Sequence, residues 1–511
     1  MARGRRDDAR VGRRVTTARA GGPTAARQPA KRFWLAAIAA SVIAVAGYGG
    51  AIAIRRVVYT SRLPALPDLS AQSASIGDHL RGADRSARTN PTSGEAVGAL
   101  CLAYHADLFY DQADRCYAAA EGLSPPDWRW TYYRALVQSA RGNGDGAVAG
   151  MRRVVAEAPE FGPAWWRLGE AEFKAGRYDR AEDAWKRAAS APEQQHEAAA
   201  GSPVHLSSAQ ISGYAALGLA RIALLRGEPD RARQILEPAV SRAPRFGPAI
   251  RLLGNSYAAL GRSEDADRAL HRANRLRAYA SYADPLVDVL VRESRNSTFL
   301  LQQSAEANDF GNVAWDEYVT GRALEFDDKN ADAAYKLGNI LRGLGRYAEA
   351  LELFRRYLQI VPDDLLGLGQ MGSCLTDLGR FAEAEPLLRQ AQAGLDDAVS
   401  HYNLGFLLAR VGRLQEAAVE YQRALYREPE NVEARSNLAT VLVRQGKLDG
   451  AARQLGRALE IDPDNASAHT NLGVVLAQQG RFEPAAREFK EAVRLDPGQA
   501  QARAALQTLE R

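Results

Sequence analysis

Ala466-Ser467-Ala468-His469-Thr470-Asn471-Leu472-Gly473-Val474-Val475-Leu476-Ala477-Gln478-Gln479-Gly480-Arg481-Phe482-Glu483-Pro484-Ala485, followed by Phe489, Ala492 and Pro497, is the last copy of a pattern that returns every 34 residues. Small residues occupy positions 8, 20 and 27 of the copy, large apolar residues positions 7 and 24, and proline a position near 32. A fixed period of this length is the mark of stacked helical hairpins, each unable to bury its apolar face without a neighbour. The fold class expected is therefore all-α, an α-solenoid in which each hairpin touches mainly the ones before and after it.

Counting backwards fixes the register. Copies begin at Ala466, Val432, Ala398, Leu365 and Ala331, spaced by 34, 34, 33 and 34 residues. Position 8 is Gly473, Ala439, Gly405, Gly372 and Gly338; position 20 is alanine in all five. Small side chains there let two helices approach closely, while Tyr421, Leu455 and Phe489 at position 24 are large enough to pack on the next hairpin. Glycine at position 15 (Gly345, Gly379, Gly412, Gly446, Gly480) suits the left-handed turn that ends a helix.

A second set of copies lies upstream, starting near Gly94, Trp128, Gly162, Gly213 and Gly247. The domain plan is a basic tail at 1–32, an apolar span at 33–54 and a linker at 55–93, part of it helical around Ile76 to Leu80. An N-terminal repeat block follows at 94–280 with a polar, Ala-rich insert near 192–212. Next come an inter-block linker at 281–297, a C-terminal block at 298–499 whose first copy is degenerate, and a capping helix at 500–511. That makes about ten to eleven hairpins.

Phe33 to Ile54 is 22 residues without a charge, long enough as a helix to cross a bilayer core of roughly 30 Å. The 32 residues before it carry ten Lys/Arg and two Asp, a net +8, whereas the rest of the chain, with 56 basic and 59 acidic residues, is at −3. The positive-inside rule then keeps the tail in the cytoplasm and sends the repeats across, to the periplasm in a Gram-negative cell. The span reads as one transmembrane helix or signal anchor of an inner-membrane, single-pass protein; a cleaved signal peptide with Ala44-Val45-Ala46 at its cut is the competing reading. A near-neutral repeat body argues against nucleic acid as a partner.

The repeat pattern resembles the tetratricopeptide repeat family over about 94–499. The resemblance implies antiparallel helix pairs stacked in a right-handed superhelix, with the first helix of each repeat lining a concave face that binds proteins or peptide segments. The plan of basic tail, single anchor and repeats is similar to bacterial membrane-anchored tetratricopeptide proteins of envelope assembly and cytochrome maturation.

If the first helices line the groove, positions 2, 5, 6, 9, 12 and 13 face inward. Position 6 gives Asn403, Asn437 and Asn471, whose amides could grip an extended backbone, an arrangement similar to the asparagine ladder of O-GlcNAc transferase repeats. Arg342, Arg410 and Arg444 could pair with carboxylates of a partner. Lys336 and Asn339 are a fragment of the carboxylate clamp of some co-chaperone repeats, and Tyr402 and Phe406 complete the inward set. The same residues would equally make a solvated polar face. The aromatic run Trp128, Trp130, Tyr132, Tyr133, Trp165 and Trp166 reads either as core or as a recognition patch.

Three cysteines give neither a disulfide framework nor a zinc or haem-attachment spacing. Cys101 and Cys116, at positions 8 and 23 of one copy, either form a bond in an oxidising compartment or are small buried residues. His401 and His469 share position 4, a structural place. No nucleophile elbow, HExxH, phosphate loop or nucleotide fingerprint occurs, so neither an enzyme nor a cofactor is expected. The function expected is a membrane-anchored scaffold for protein–protein interaction in assembly or maturation of an envelope or exported complex. A permanent structural subunit of a large membrane complex is the alternative, its oligomeric state or hetero-complex left open.

Overall fold

The computed structural model describes residues 48, 50–123, 125–191, 209–244, 246–275, 284–309 and 313–509. Every element among them is a helix or a turn. Met1–Ser61 forms one unit and Arg62–Arg511 another. In the first, the described part is a helix that runs through residues 50–61. Of the apolar run 33–54, residues 33–47 and 49 lie outside the described residues. No helix among the described residues is long and apolar enough to cross a membrane.

The second unit is an all-α solenoid of hairpins. The first helices of the C-terminal copies are Ala331–Gly343, Leu365–Asp377, Ala398–Arg410, Val432–Arg444 and Ala466–Gln478, so each expected start is the first helical residue. The reason is local. Asn330, Asp364, Asp397, Asn431 and Asn465 stand just before them and accept from the backbone amide three residues on, at 2.6 to 2.9 Å. Such a cap stabilises a helix by about 1 kcal/mol. Each first helix stops at a position-15 glycine in the left-handed region, for example Gly345 at φ 76° and Gly480 at φ 75°. There an L side chain would be strained.

The second helix then returns antiparallel, and close approach is paid for by the small residue at position 8. A Cβ on Gly473 would stand 2.7 Å from the ring of Phe489, the position-24 residue of its own hairpin. Phe354, Leu388, Tyr421, Leu455 and Phe489 are all buried. Each contributes about 1.5–3 kcal/mol by leaving water. In the N-terminal block Trp185 fills the space over Gly169 in the same way.

Three boundaries differ from the sequence expectation. The linker 55–93 is more structured than a tether: Ser73 caps a 16-residue helix, Ala74–Thr89, whose Ile76, Leu80 and Ala87 are buried, so it closes the open end of the first repeat. The insert near 192–212 ends earlier, because Ala209–Leu225 is one helix and takes in residues 209–212 ahead of Gly213; residues 192–208 lie outside the described residues. The inter-block linker 281–297 contains a helix, Pro285–Glu293, started by the Asp284 cap with proline in the first turn. At the other end, Ala500–Leu509 covers the last repeat through the buried Ala502.

Candidate peptide-binding grooves

The inward positions of the C-terminal block meet across repeats. Tyr402 and Phe406 are stacked with centroids 6.5 Å apart. Asn437 Nδ2 donates to the Tyr402 hydroxyl at 2.9 Å, and burial pushes that phenol's pKa up. Arg342 donates to Gln370 Oε1 at 3.1 Å and stands 4.0 Å from Asp377. Burial raises the Asp377 carboxyl, while Arg342 and Arg410 pull it back down. Arg444 donates to the Ala409 carbonyl at 2.7 Å, and Lys336 lies 3.5 Å from Asp316. Lys336 thus reaches the helix Val313–Phe326 of the preceding hairpin, and the other polar side chains stitch the first helices of neighbouring repeats together.

Arg410 is different. Its guanidinium lies 5.7 Å from both the Phe381 and the Phe406 ring centroids, it is exposed, and it makes no hydrogen bond or ion pair among the described residues. The three asparagines are not equivalent: Asn437 is engaged by Tyr402, Asn403 is 8% exposed, and Asn471 is half-buried. Asn339 is half-buried as well and makes no side-chain hydrogen bond among the described residues.

The N-terminal block presents a second groove, and a segment of the same chain fills it. Asp284 Oδ2 accepts from Arg167 at 2.8 Å and from the Tyr132 hydroxyl. The Tyr133 hydroxyl donates to the Leu286 carbonyl at 3.0 Å, and Leu286 packs on the cluster that holds Tyr132, Phe161 and Leu168. Tyr132, Tyr133 and Arg167 stand at positions 5, 6 and 6 of two successive copies, which are inward positions. At the far end, Ser294 donates to the Ala106 carbonyl at 2.9 Å, and the Arg295 amide donates to Asp107 at 3.0 Å. Beside Tyr133, at a ring-centroid distance of 6.3 Å, burial and the Arg167 charge depress His105 to a pKa of about 3, which leaves the ring neutral.

Models of the tetratricopeptide repeat match residues 138–198, 213–238, 329–397, 408–458 and 436–500. The chain carries tetratricopeptide repeats. Among solved structures it is similar to YrrB, described as a TPR protein with an unusual peptide-binding site, at 24% identity over 37% of this chain and 97% of that one, with a TM-score of 0.30. It is similar to the APC/C hetero-tetramer Cut9–Hcn1 at 12% identity over 83% and 98%, TM-score 0.37. Yeast Tom70 aligns at 15% identity over 82% and 95%, TM-score 0.34. No curated protein sequence matches the chain.

Within the tetratricopeptide frame, position 4 carries a repeating staple. Trp165 Nε1 donates to the Pro159 carbonyl at 2.8 Å, Arg435 to that of Pro429 at 2.5 Å, and His469 to that of Pro463 at 2.9 Å. His469 and Arg435 also reach position 23 of their own hairpin, at Glu488 and Gln454. Within the dense aromatic set Trp130 is packing: it stacks on Tyr117 and Tyr133, and its ring occupies the space over Gly98, whereas the Tyr132 and Tyr133 hydroxyls face the docked segment. Cys101 and Cys116 are joined in a disulfide between the two helices of the first repeat, so position 23 does reach position 8 there. Sequence reasoning did not find Arg167 or the docked segment. Asp284-Pro285 falls in the stretch expected to be an inter-block linker, and nothing local connects it with Tyr132, 152 residues earlier.

Proposed function

We propose that this chain is a membrane-anchored tetratricopeptide scaffold that grips peptide segments of partner proteins along the first helices of 298–499, during assembly or maturation of an envelope or exported complex. The observation that carries the reading is Arg410, an exposed cation beside two aromatic rings that makes no hydrogen bond or ion pair among the described residues. A guanidinium flanked by rings favours a carboxylate from outside, which it can bind through two parallel hydrogen bonds. Tyr402 and Phe406 beside it supply apolar surface for the neighbouring side chain of a partner. The N-terminal tail of +8 followed by an uncharged run of 22 residues supports insertion with the tail in the cytoplasm and the repeats outside. The Cys101–Cys116 disulfide fits an oxidising compartment.

Purification of the full chain from native membranes in mild detergent, with mass spectrometry of what accompanies it, tests this. Wild type should bring down exported proteins that Arg410→Ala loses. Recovery of the wild type in the soluble fraction, lacking its first residues, would sink the anchored reading. Unchanged partners with Arg410→Ala would sink the groove reading.

A further inference from the structure

The sequence Asp284-Pro285-Leu286-Val287-Asp288-Val289-Leu290-Val291-Arg292-Glu293-Ser294-Arg295-Asn296 lies across first helices of three successive N-terminal repeats. One carboxylate performs two tasks at its start. Asp284 Oδ1 caps its own helix at the Leu286 and Val287 amides, 3.1 and 3.4 Å away, while Oδ2 faces Arg167 and Tyr132. The carboxylate is 4% exposed, so its charge is matched away from water, the arrangement in which a charge-assisted bond is strong. Proline at the first turn sets the backbone for a helix before docking, which lowers the entropy lost on binding. Leu286 enters the apolar cluster, and Ser294 to Asn296 close the register on Ala106 and Asp107.

We infer that this groove is a recognition site for a helical peptide that begins with an acidic cap, a proline and an aliphatic residue, and that Asp284–Asn296 occupies it as a tethered competitor of partner segments of that pattern. The inference rests on the reading that these repeats bind peptides, but it concerns a different groove from that of Arg410. The cis segment is an imperfect ligand. Burial and the neighbouring Asp284 charge push the Asp288 carboxyl up to about 6, so at neutral pH the docked helix holds a charge its surroundings oppose. A partner with an uncharged residue four places after its acidic cap binds more tightly. Tethering gives the cis segment a high local concentration, so an external peptide gains access mainly when the cis contacts are weakened.

The test uses the full chain in detergent and a fluorescein-labelled synthetic peptide of residues 283–297. By anisotropy, protein carrying Asp284→Ala should bind the wild-type peptide at a concentration at least about tenfold lower than wild-type protein does. The peptide with Asp288→Asn should bind tighter still, and adding Arg167→Ala to the protein should abolish binding. An Asp284→Ala protein with a wild-type melting curve that ignores the peptide would overturn the proposal. Hydrogen exchange of the wild-type chain needs no variant: the amides of 287–293 should exchange faster than those of Trp128–Ala140. Equal protection would make the segment an inseparable part of the fold and defeat the inference. Because the Arg410 groove is not involved, its failure leaves these outcomes unchanged.

Discussion

His401 Nε2 lies 2.9 Å from Asp396 Oδ1, the position-32 residue of the copy that begins at Leu365, where the other four in-register copies have proline. The copy that begins at Leu365 is one residue shorter than its neighbours, and Asp396 adopts a left-handed backbone at φ 47°. In the next repeats the position-4 side chain reaches a proline carbonyl instead. The other ring nitrogen of His401 is 2.6 Å from Glu420, so the buried ring ties the turn to both helices of the hairpin.

His401→Leu removes both ties and leaves Glu420 paired with Arg423. Loss of buried hydrogen-bonded partners costs about 1–3 kcal/mol, so the C-terminal repeats should melt several degrees lower. At Asp396 a left-handed backbone favours glycine. Asp396→Gly should therefore cost less than Asp396→Ala, and Asp396→Pro, whose ring demands a negative φ, should cost most. Melting curves of the four proteins check the order.

A second prediction concerns close packing. Gly473→Ala puts a methyl 2.7 Å from the Phe489 ring, which is itself buried and cannot retreat into solvent. Overpacking costs about 1–3 kcal/mol, against a gain of up to about 1 kcal/mol in helix propensity. The net expectation is a loss. The neighbouring repeat already carries the relaxed pair, Ala439 with Leu455, both buried. Phe489→Leu should therefore rescue Gly473→Ala in a double-mutant cycle, and additive effects would show that the two residues do not compete for space.

These positions show why so much of the fold was readable. Helix starts, the glycine turns and the pairing of positions 8 and 24 are set by neighbours within one repeat, and a periodic sequence displays them many times over. The grooves were harder to read. Inward positions were identified, but whether an arginine there meets a partner or its own neighbour depends on groups 28 to 35 residues away, as with Arg342 and the Gln370 side chain or Arg444 and the Ala409 carbonyl. The docking of Asp284 on Arg167 depends on a contact 117 residues apart that no repeat pattern encodes.

The disulfide gives a third prediction. Cys101 and Cys116 enclose a sequence separation of 15, and a loop of that size stabilises by about 3 kcal/mol in the chain-entropy account. Reduction, or Cys101→Ser with Cys116→Ser, should lower the melting temperature of the N-terminal repeats. Alkylation of denatured, unreduced protein from native membranes should modify Cys374 alone, the free and buried cysteine. Modification at all three would show that the bond does not form in the cell.

The last prediction is that acidification tightens the docked segment. Asp288 has its pKa raised to about 6 by burial first and then by Asp284, with Arg292 opposing. A carboxyl raised in the folded state binds more protons folded than unfolded, so its penalty is full above pH 6 and is relieved as pH falls from about 6 toward its ordinary value of 3.8. His79 acts in the same direction. Burial disfavours its charge, but the hydrogen bonds to Asp107 and Glu293 outweigh burial and the Arg295 charge, and the pKa is raised above 6.5. The stability His79 adds is fully present below pH 6.5 and is lost as pH climbs through its folded value. Glu293, lowered chiefly by His79, opposes both only below pH 4.5. Between pH 7.5 and 5 the amides of 287–293 should thus gain protection against hydrogen exchange, after correction for intrinsic rates, relative to those of Trp128–Ala140. Asp288→Asn should remove part of that gain and His79→Gln another part, whereas a gain that survives both substitutions would assign the pH response to groups elsewhere.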